Sequence, residues 1–374
     1  MSAKRRLIWL CPEFTPYQQV LFEAVASCPD VDLRVEVMMP NAGTHPFGEP
    51  GRLPYEWGIA DQNQRIDRKL IDRLLAEKHA DVVVSSYLRP TLLAAMRALA
   101  RHRRRFLFWS DVPLPRRVQW NGRFAKRRPL WRELARNRLL RWIYRHAYRV
   151  LVTGFSGVTA VVHLGCPHEK AVCFPYWIET NGSDQRERPS QDRCHISGLG
   201  QLVHRKGYDL ALEAFAKAIA EHGLPEQVRL VLAGAGEAEE SLRTRAERLD
   251  VAHRVDFPGW LDSQQKRELF ARTTAFVHPA RWEPYGVVVL EAMAAGVPVL
   301  GSDNTLAVLD RVQHGVSGFI HKTGDSKQLG SDMARVLSDP QTAGRLGQRA
   351  QETARAWPPE RAVEILRNLL WEDR

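Results

Sequence analysis

The chain has 374 residues, with 54 Lys and Arg against 43 Asp and Glu, and a net charge of +11 with its histidines neutral. That length suffices for two cores, and the apolar and charged fractions are those of a folded chain rather than a disordered one. No apolar run approaches the roughly 20 residues of a membrane-crossing helix, and the run after Lys4-Arg5-Arg6 stops at Pro12 and Glu13, too early for a secretory signal.

Cys11, Cys28, Cys166, Cys173 and Cys194 are odd in number and lack metal-ligand spacing, which points to free thiols in a reducing, cytoplasmic setting. The charge is lopsided. Residues 1–178 hold 29 Lys/Arg against 15 Asp/Glu, whereas residues 179–374 hold 25 against 28. A basic half attracts an acidic acceptor, an anionic membrane surface or nucleic acid. No nucleic-acid-binding module is recognisable, so that partner is not expected.

Residues 1–178 alternate short apolar runs with helical patterns, as a Rossmann-like parallel sheet does. Strands are expected at Arg6–Cys11, Leu33–Met38, Asp81–Ser85, Arg105–Trp109, Val150–Thr153 and Ala171–Phe174. A helix is expected over Thr91–His102 and another from about Val20, after the Pro-punctuated turn Pro12 to Gln19. Gly43 to Gly58 reads as a long irregular loop. Between Arg101 and Arg149 there are 16 Lys/Arg and only Asp111 and Glu133 as acids, interleaved with Leu130, Trp131, Leu134, Trp142 and Tyr144. Two readings fit: a basic face lying on anionic lipid, or a helix packed on its own sheet with arginines reaching outward.

The polar run 179–193 marks a linker. The second domain, 194–356, opens with a strand, then Arg205-Lys206-Gly207, then a helix to about His222 with Leu210, Ala211, Ala214, Phe215, Ala218 and Ile219 on one face and Gly223 as cap. Two adjacent cations at a helix start oppose the helix dipole, a placement that an anion would relieve. Val228–Ala233 is a strand leading into Gly234-Ala235-Gly236, and Arg254–Phe257 another, leading into Gly259-Trp260. Core packing is the expected place of Trp260. The tail Ala362–Trp371 forms a last helix, within a 357–374 segment.

The most informative stretch is His278 to Gly301. Ala275–Val277 and Val297–Leu300 are apolar, and between them Val287 to Ala295 favours a helix capped by Gly296. This is a strand–loop–helix–strand unit of a parallel sheet. Glu283, before Pro284 and Gly286, sits at the carboxyl end of a strand, where such sheets bind ligands. Glu291 lies roughly 7–8 Å along the helix axis from Gly286. The amides of Gly286, Val287 and Val288 open the helix and suit phosphate.

The run Glu283-Pro-Tyr-Gly-Val-Val-Val-Leu-Glu291-Ala-Met-Ala-Ala-Gly-Val-Pro-Val resembles the E-x7-E signature of retaining glycosyltransferases of the GT-B fold, family 4, the group 1 glycosyltransferases. The resemblance is strong over 194–322 and loose over 1–178. It implies two Rossmann-like α/β domains facing across a cleft, with the last helix returning to the first domain. It implies sugar transfer from a nucleotide-diphosphate sugar to an acceptor hydroxyl, in polysaccharide or glycolipid assembly, with no metal and no other cofactor. Arg205 and Lys206 would neutralise the departing diphosphate, Glu283 would hold the donor sugar and Glu291 the ribose, with Gly234 and Gly259 in donor-side loops. Asp111 would meet the acceptor hydroxyl, with Thr15, Tyr17 and Gln18 on the acceptor side; a plain turn role fits those four residues as well.

Three positions depart from the family pattern. The first loop lacks its glycines, Gln201 replaces an arginine, and Ser302-Asp303-Asn304-Thr305 replaces a glycine pair. The competing readings are a sugar-nucleotide epimerase, a phosphorylase on the same fold, and a non-catalytic anion- or lipid-binding scaffold.

Overall fold

The computed structural model describes residues 4–39, 53–111, 119–121, 124–126, 129–179 and 195–371. The described residues up to Asp111, from Pro129 to Glu179 and from Pro358 onward form one compact unit; residues 119–121, 124–126 and those from His195 to Trp357 form another. The expected linker lies, beyond Glu179, outside the described residues.

In the first unit the strands are β1 (Arg5–Glu13), β2 (Val31–Met39), β3 (Glu56–Ile59), β4 (Asp81–Ser85) and β5 (Leu107–Ser110). β8 (Arg149–Val152) and β9 (Ala171–Cys173) complete this unit's sheet, and a separate two-strand antiparallel hairpin, β6 (Gln119–Asn121) and β7 (Phe124–Lys126), groups with the second unit. The parallel sheet runs β3-β2-β1-β4-β5-β8-β9, so the chain reverses direction of travel between β1 and β4. β4 is buried along its whole length, as a Val-rich strand covered on both faces should be. The helices of this unit are α1 (Pro16–Ala26), α2 (Arg68–Ala76), α3 (Pro90–Arg101), α4 (Leu130–His146) and α5 (Phe155–His163).

Two expectations need correction here. The end of the expected long loop is strand β3, whose Glu56–Ile59 pair in parallel with Arg34–Val37. Four residues at a sheet edge are too few to show alternation in sequence. Helix α1 starts at Pro16, not near Val20, because proline at the first helical position costs no hydrogen bond and its fixed φ suits the helix.

The second unit holds β10 (His195–Leu199), β11 (Arg229–Ala233), β12 (Val255–Asp256), β13 (Thr273–His278), β14 (Val299–Ser302) and β15 (Gly318–His321). Its helices are α6 (Tyr208–His222), α7 (Glu239–Arg248), α8 (Ser263–Arg272), α9 (Val287–Ala294), α10 (Leu306–Arg311), α11 (Ser326–Ser338) and α12 (Pro340–Arg355). The parallel order is β12-β11-β10-β13-β14-β15, with the reversal between β10 and β13. Ala211, Ala214, Phe215 and Ala218 of α6 enter the core with Leu230 and Leu232 of β11, and Leu210 is buried outside that cluster. The last helix, α13 (Glu360–Leu370), belongs to the first unit, where Arg367 bonds Asp30 at 2.6 Å.

Candidate active site in the second unit

The strands on either side of the reversal, β10 and β13, both deliver functional groups from their carboxyl ends, the position where open α/β sheets bind ligands. After β10 the chain makes a 3-10 turn, His204–Lys206, and then α6 begins. After β13 it runs from Pro279 to Gly286, where α9 begins. These two turns meet. Arg205 Nη1 and Lys206 Nζ each lie 2.6 Å from Glu283 Oε2.

Why the turns meet is written in the residues between the cations and the helix. Gly207 has φ +72, and a Cβ there would fall 2.1 Å from the carbonyl oxygen of Pro279, so only glycine allows the approach. Arg281 then ties the turns together. Its backbone N–H donates to Arg205 O at 2.8 Å, and its guanidinium donates to both Asp209 oxygens at 2.7 and 2.6 Å. Burial alone would raise the Asp209 carboxyl; Arg281 outweighs it and holds it below its usual range.

The Ser302–Thr305 segment does comparable work from the other side. Ser302 Oγ donates to Ala280 O at 2.6 Å, Asn304 Nδ2 to Arg281 O at 2.5 Å, and the Glu283 N–H to Asn304 O at 3.1 Å. The departure noted in sequence thus has a local purpose: these side chains clamp the loop that carries Glu283.

Glu283 is 6% exposed. Burial by itself would push its carboxyl up, but the charges of Lys206 and Arg205 outweigh burial and hold it down at about 2. Gly286, with φ +95, is the N-cap of α9, so the first-turn N–H groups at Val287 and Val288 have no acceptor within the helix. A Cβ at Gly286 would lie 3.2 Å from Glu283 Cγ and 3.5 Å from His278 Nε2, which places His278 against the same point. His278 is fully buried, and neither ring nitrogen has a hydrogen-bond partner among the described residues. Burial, with Lys206 beside it, lowers its ring to about 3, so it is a neutral imidazole. No role for His278 was legible in sequence, since a histidine ending an apolar strand carries no local signal of what it faces.

Residues 183–353 match the family described as glycosyl transferases group 1. This region belongs to the group 1 glycosyltransferases. An uncharacterized glycosyltransferase of Methanocaldococcus jannaschii is 34% identical over 150 residues, covering 40% of this chain and 37% of the relative. A lipopolysaccharide core biosynthesis glycosyltransferase of Rhizobium meliloti is 32% identical over 158 residues, covering 42% and 44%. The chain therefore spans about two fifths of the length of the curated relatives it matches. Among solved structures, Anabaena HepE in complex with UDP superposes with a TM-score of 0.76 at 18% identity, covering 98% of this chain and 100% of that one. The lipopolysaccharide outer core galactosyltransferase WaaB, in apo form, gives 0.71 at 14% identity, covering 99% and 100%. The fold is GT-B, with two Rossmann-like parallel-sheet units.

Within the group 1 region the second acid of the motif is held differently from the first. Glu291 Oε1 accepts from Lys266 Nζ of α8 at 2.8 Å, an ion pair that is partly open to water. Lys266 lies 25 residues away in sequence and escaped the sequence reading. The donor-side glycines also meet, the Gly234 N–H donating to Gly259 O at 2.7 Å. Trp260, expected in the core, is instead 47% exposed. The positive φ of Gly259 turns the chain at the end of β12, and Trp260 follows on the outside of that turn.

The first-unit residues separate into two groups. Thr15 and Gln18 are buried, with Thr15 Oγ1 donating to Gln18 Oε1 at 3.0 Å, so the two engage each other at the start of α1. Tyr17 and Asp111 are brought together by a residue the sequence reading missed. Tyr176 donates to Asp111 Oδ1 at 2.8 Å, and its ring meets Tyr17 edge-on at 4.9 Å and Trp109 at 5.6 Å. Asp111 follows β5 and Tyr17 follows β1, so this cluster stands at the carboxyl end of the first sheet.

Proposed function

We propose that the chain is a retaining glycosyltransferase, independent of metal, that moves a sugar from a nucleotide-diphosphate sugar to an acceptor hydroxyl in polysaccharide or lipid-linked glycan assembly. One observation carries this reading: two cations and one buried carboxylate converge beside the free N–H groups of a helix start. The carboxylate leaves one positive charge over, and the helix start adds to it. A diphosphate fits that field, and its charge grows as the glycosidic bond breaks, so the cations favour the transition state over the bound donor. They supply what a divalent ion supplies elsewhere.

In this scheme Arg205, Lys206 and the amides at Gly286, Val287 and Val288 receive the diphosphate. Glu283, released from its two cations, turns to the donor sugar hydroxyls. Glu291, held open to solvent by Lys266, takes the ribose, and the Gly234 and Gly259 turns frame the nucleoside. Asp111 and Tyr17 serve the acceptor. The UDP bound to the HepE structure supports a uridine donor.

A thermal-shift screen against a panel of nucleotide sugars, followed by a transfer assay with the hit, tests the proposal. Stabilisation by a nucleotide sugar and a product of unchanged anomeric configuration, formed undiminished in chelator, is the expected result. An inverted product would overturn the retaining mechanism, and loss of turnover in chelator its metal independence. Release of an isomerised sugar nucleotide would assign an epimerase, dependence on inorganic phosphate a phosphorylase, and indifference to every nucleotide sugar a scaffold.

A further inference from the structure

We propose that the N-terminal half of α4 is an interfacial anchor that seats the first unit on an anionic lipid surface. Leu130, Trp131 and Leu134 are 65%, 65% and 64% exposed. Large apolar side chains grouped on a surface are informative in a way that isolated ones are not. These three occupy the first two turns of one helix.

The helix itself is well anchored to the protein. Glu133, Asn137, Leu140, Ile143 and Tyr144 are buried on its inner face, and the last three join the core of the first unit. The inner face thus bears out packing on the sheet, and the lipid reading is proposed for the outer face alone. At the beginning of the outer face the apolar side chains of Leu130, Trp131 and Leu134 are exposed. Positions 131, 134, 138, 141 and 145 follow at spacings of three and four and so share one face. They read Trp, Leu, Arg, Arg, Arg, and all five are exposed. The single acid of the helix, Glu133, is buried on the other side.

This order suits a bilayer. Tryptophan and leucine enter the boundary between headgroups and chains, tryptophan favouring that level. Arginines further along the same line stay among the phosphates and reach them through long stems. Charge argues against a second copy of the chain as the occupant, because two such faces would bring six arginines together. No helix of the described residues is long and apolar enough to cross a membrane, so the contact would be peripheral. The inference stands apart from the transfer chemistry, since it uses none of the site residues.

Vesicle flotation tests it. The protein should float with vesicles of equal phosphatidylglycerol and phosphatidylcholine, less so as salt rises, and not with phosphatidylcholine alone. The Arg138→Gln/Arg141→Gln/Arg145→Gln variant should lose about a hundredfold in partitioning, at about fivefold per arginine. Trp131→Ser/Leu134→Ser should lose flotation with an unchanged melting temperature, since both side chains are exposed. Trp131→Phe should still float but lose the blue shift of tryptophan emission on anionic vesicles. Failure to float on the anionic vesicles, flotation unaffected by the triple arginine variant, or a blue shift that persists in Trp131→Phe would overturn the proposal. So would self-association, without vesicle binding, that Trp131→Ser/Leu134→Ser abolishes.

Discussion

Lys206 Nζ and Glu283 Oε2 meet at 2.6 Å where both side chains are nearly shut off from water, and Arg205 shares the same oxygen. The pair is a counter-ion arrangement. Without a ligand, Glu283 makes the close approach of two cations tolerable. In the proposed reaction a diphosphate would take the cations and release the carboxylate toward its neighbours, so one acid would serve in turn as counter-ion and as sugar ligand.

Glu283→Gln should damage both stability and turnover. It leaves two shielded cations without their partner, a change that typically costs about 3 kcal/mol or more. A nucleoside diphosphate should then raise the melting temperature of this variant more than that of the wild-type chain, because the ligand now supplies the missing charge. Turnover by Glu283→Gln and by Lys206→Ala should each fall more than tenfold, about 1.4 kcal/mol. Near-normal turnover in both would remove this site from the reaction.

Acid pH should destabilise the second unit in two separable stages. His278 is lowered to about 3 and His321, also by burial, to about 4, from an ordinary 6.5. Below 6.5 the unfolded chain binds protons that the folded chain refuses, so stability falls as pH drops from about 6.5 to 4, by up to about 1.4 kcal/mol per pH unit for each histidine. His278 faces Lys206, Arg205 and Glu283, and His321 faces Asp303 and Asp325. Glu283 has the opposite shift. Its stabilisation is complete above about 4.5 and is lost as pH falls toward about 2. Denaturant midpoints measured across this range should fall less steeply between pH 6.5 and 4 in His278→Gln/His321→Gln. An unchanged slope would mean the rings already carry charge in the folded protein.

The parallel-sheet architecture was legible because Val-rich runs and helix caps are local signals: Asp81–Ser85 as β4, Gly223 and Gly296 as caps. Glu283, Arg205 and Lys206 were legible as a group only through the motif resemblance, since 77 or more residues separate the acid from the cations and no periodicity links them. Partners set by packing were not legible at all. Lys266 reaches Glu291 from another helix, Tyr176 reaches Asp111 across 65 residues, and His278 declares its place only once Gly286 is seen against it. The buried bond between Thr15 and Gln18 was not legible either, because a sequence cannot distinguish polar groups that meet each other in the interior from polar groups that face a cleft.

Two glycines of similar backbone should respond differently to alanine. Gly207 and Gly223 have φ +72 and +61, but a Cβ at Gly223 meets nothing within 4 Å, whereas at Gly207 it meets Pro279 O at 2.1 Å. Gly223→Ala should cost about 1 kcal/mol of left-handed strain and leave turnover intact. Gly207→Ala must also move the turn away from Pro279, and Arg205 and Lys206 move with it. Its melting temperature should fall further and its kcat/KM by at least tenfold. Equal behaviour of the two variants would show that the close approach of the turns is dispensable.

Tyr176 should act on the acceptor and not on the donor. Its hydroxyl fixes Asp111, and its ring is set by Tyr17 and Trp109. Removing only the hydroxyl, in Tyr176→Phe, keeps the ring packing and frees the carboxylate to other rotamers. A hydrogen bond to a charged group at a partly open site is worth about 1.5 kcal/mol, so acceptor kcat/KM should fall about tenfold. Slow hydrolysis of the donor without acceptor should be unchanged, because that reaction needs only the second-unit site. Asp111→Asn should reproduce the loss, and combining the two should add little, since both remove one interaction. If Tyr176→Phe slowed donor hydrolysis as much as transfer, the tyrosine would be supporting the fold and not the acceptor.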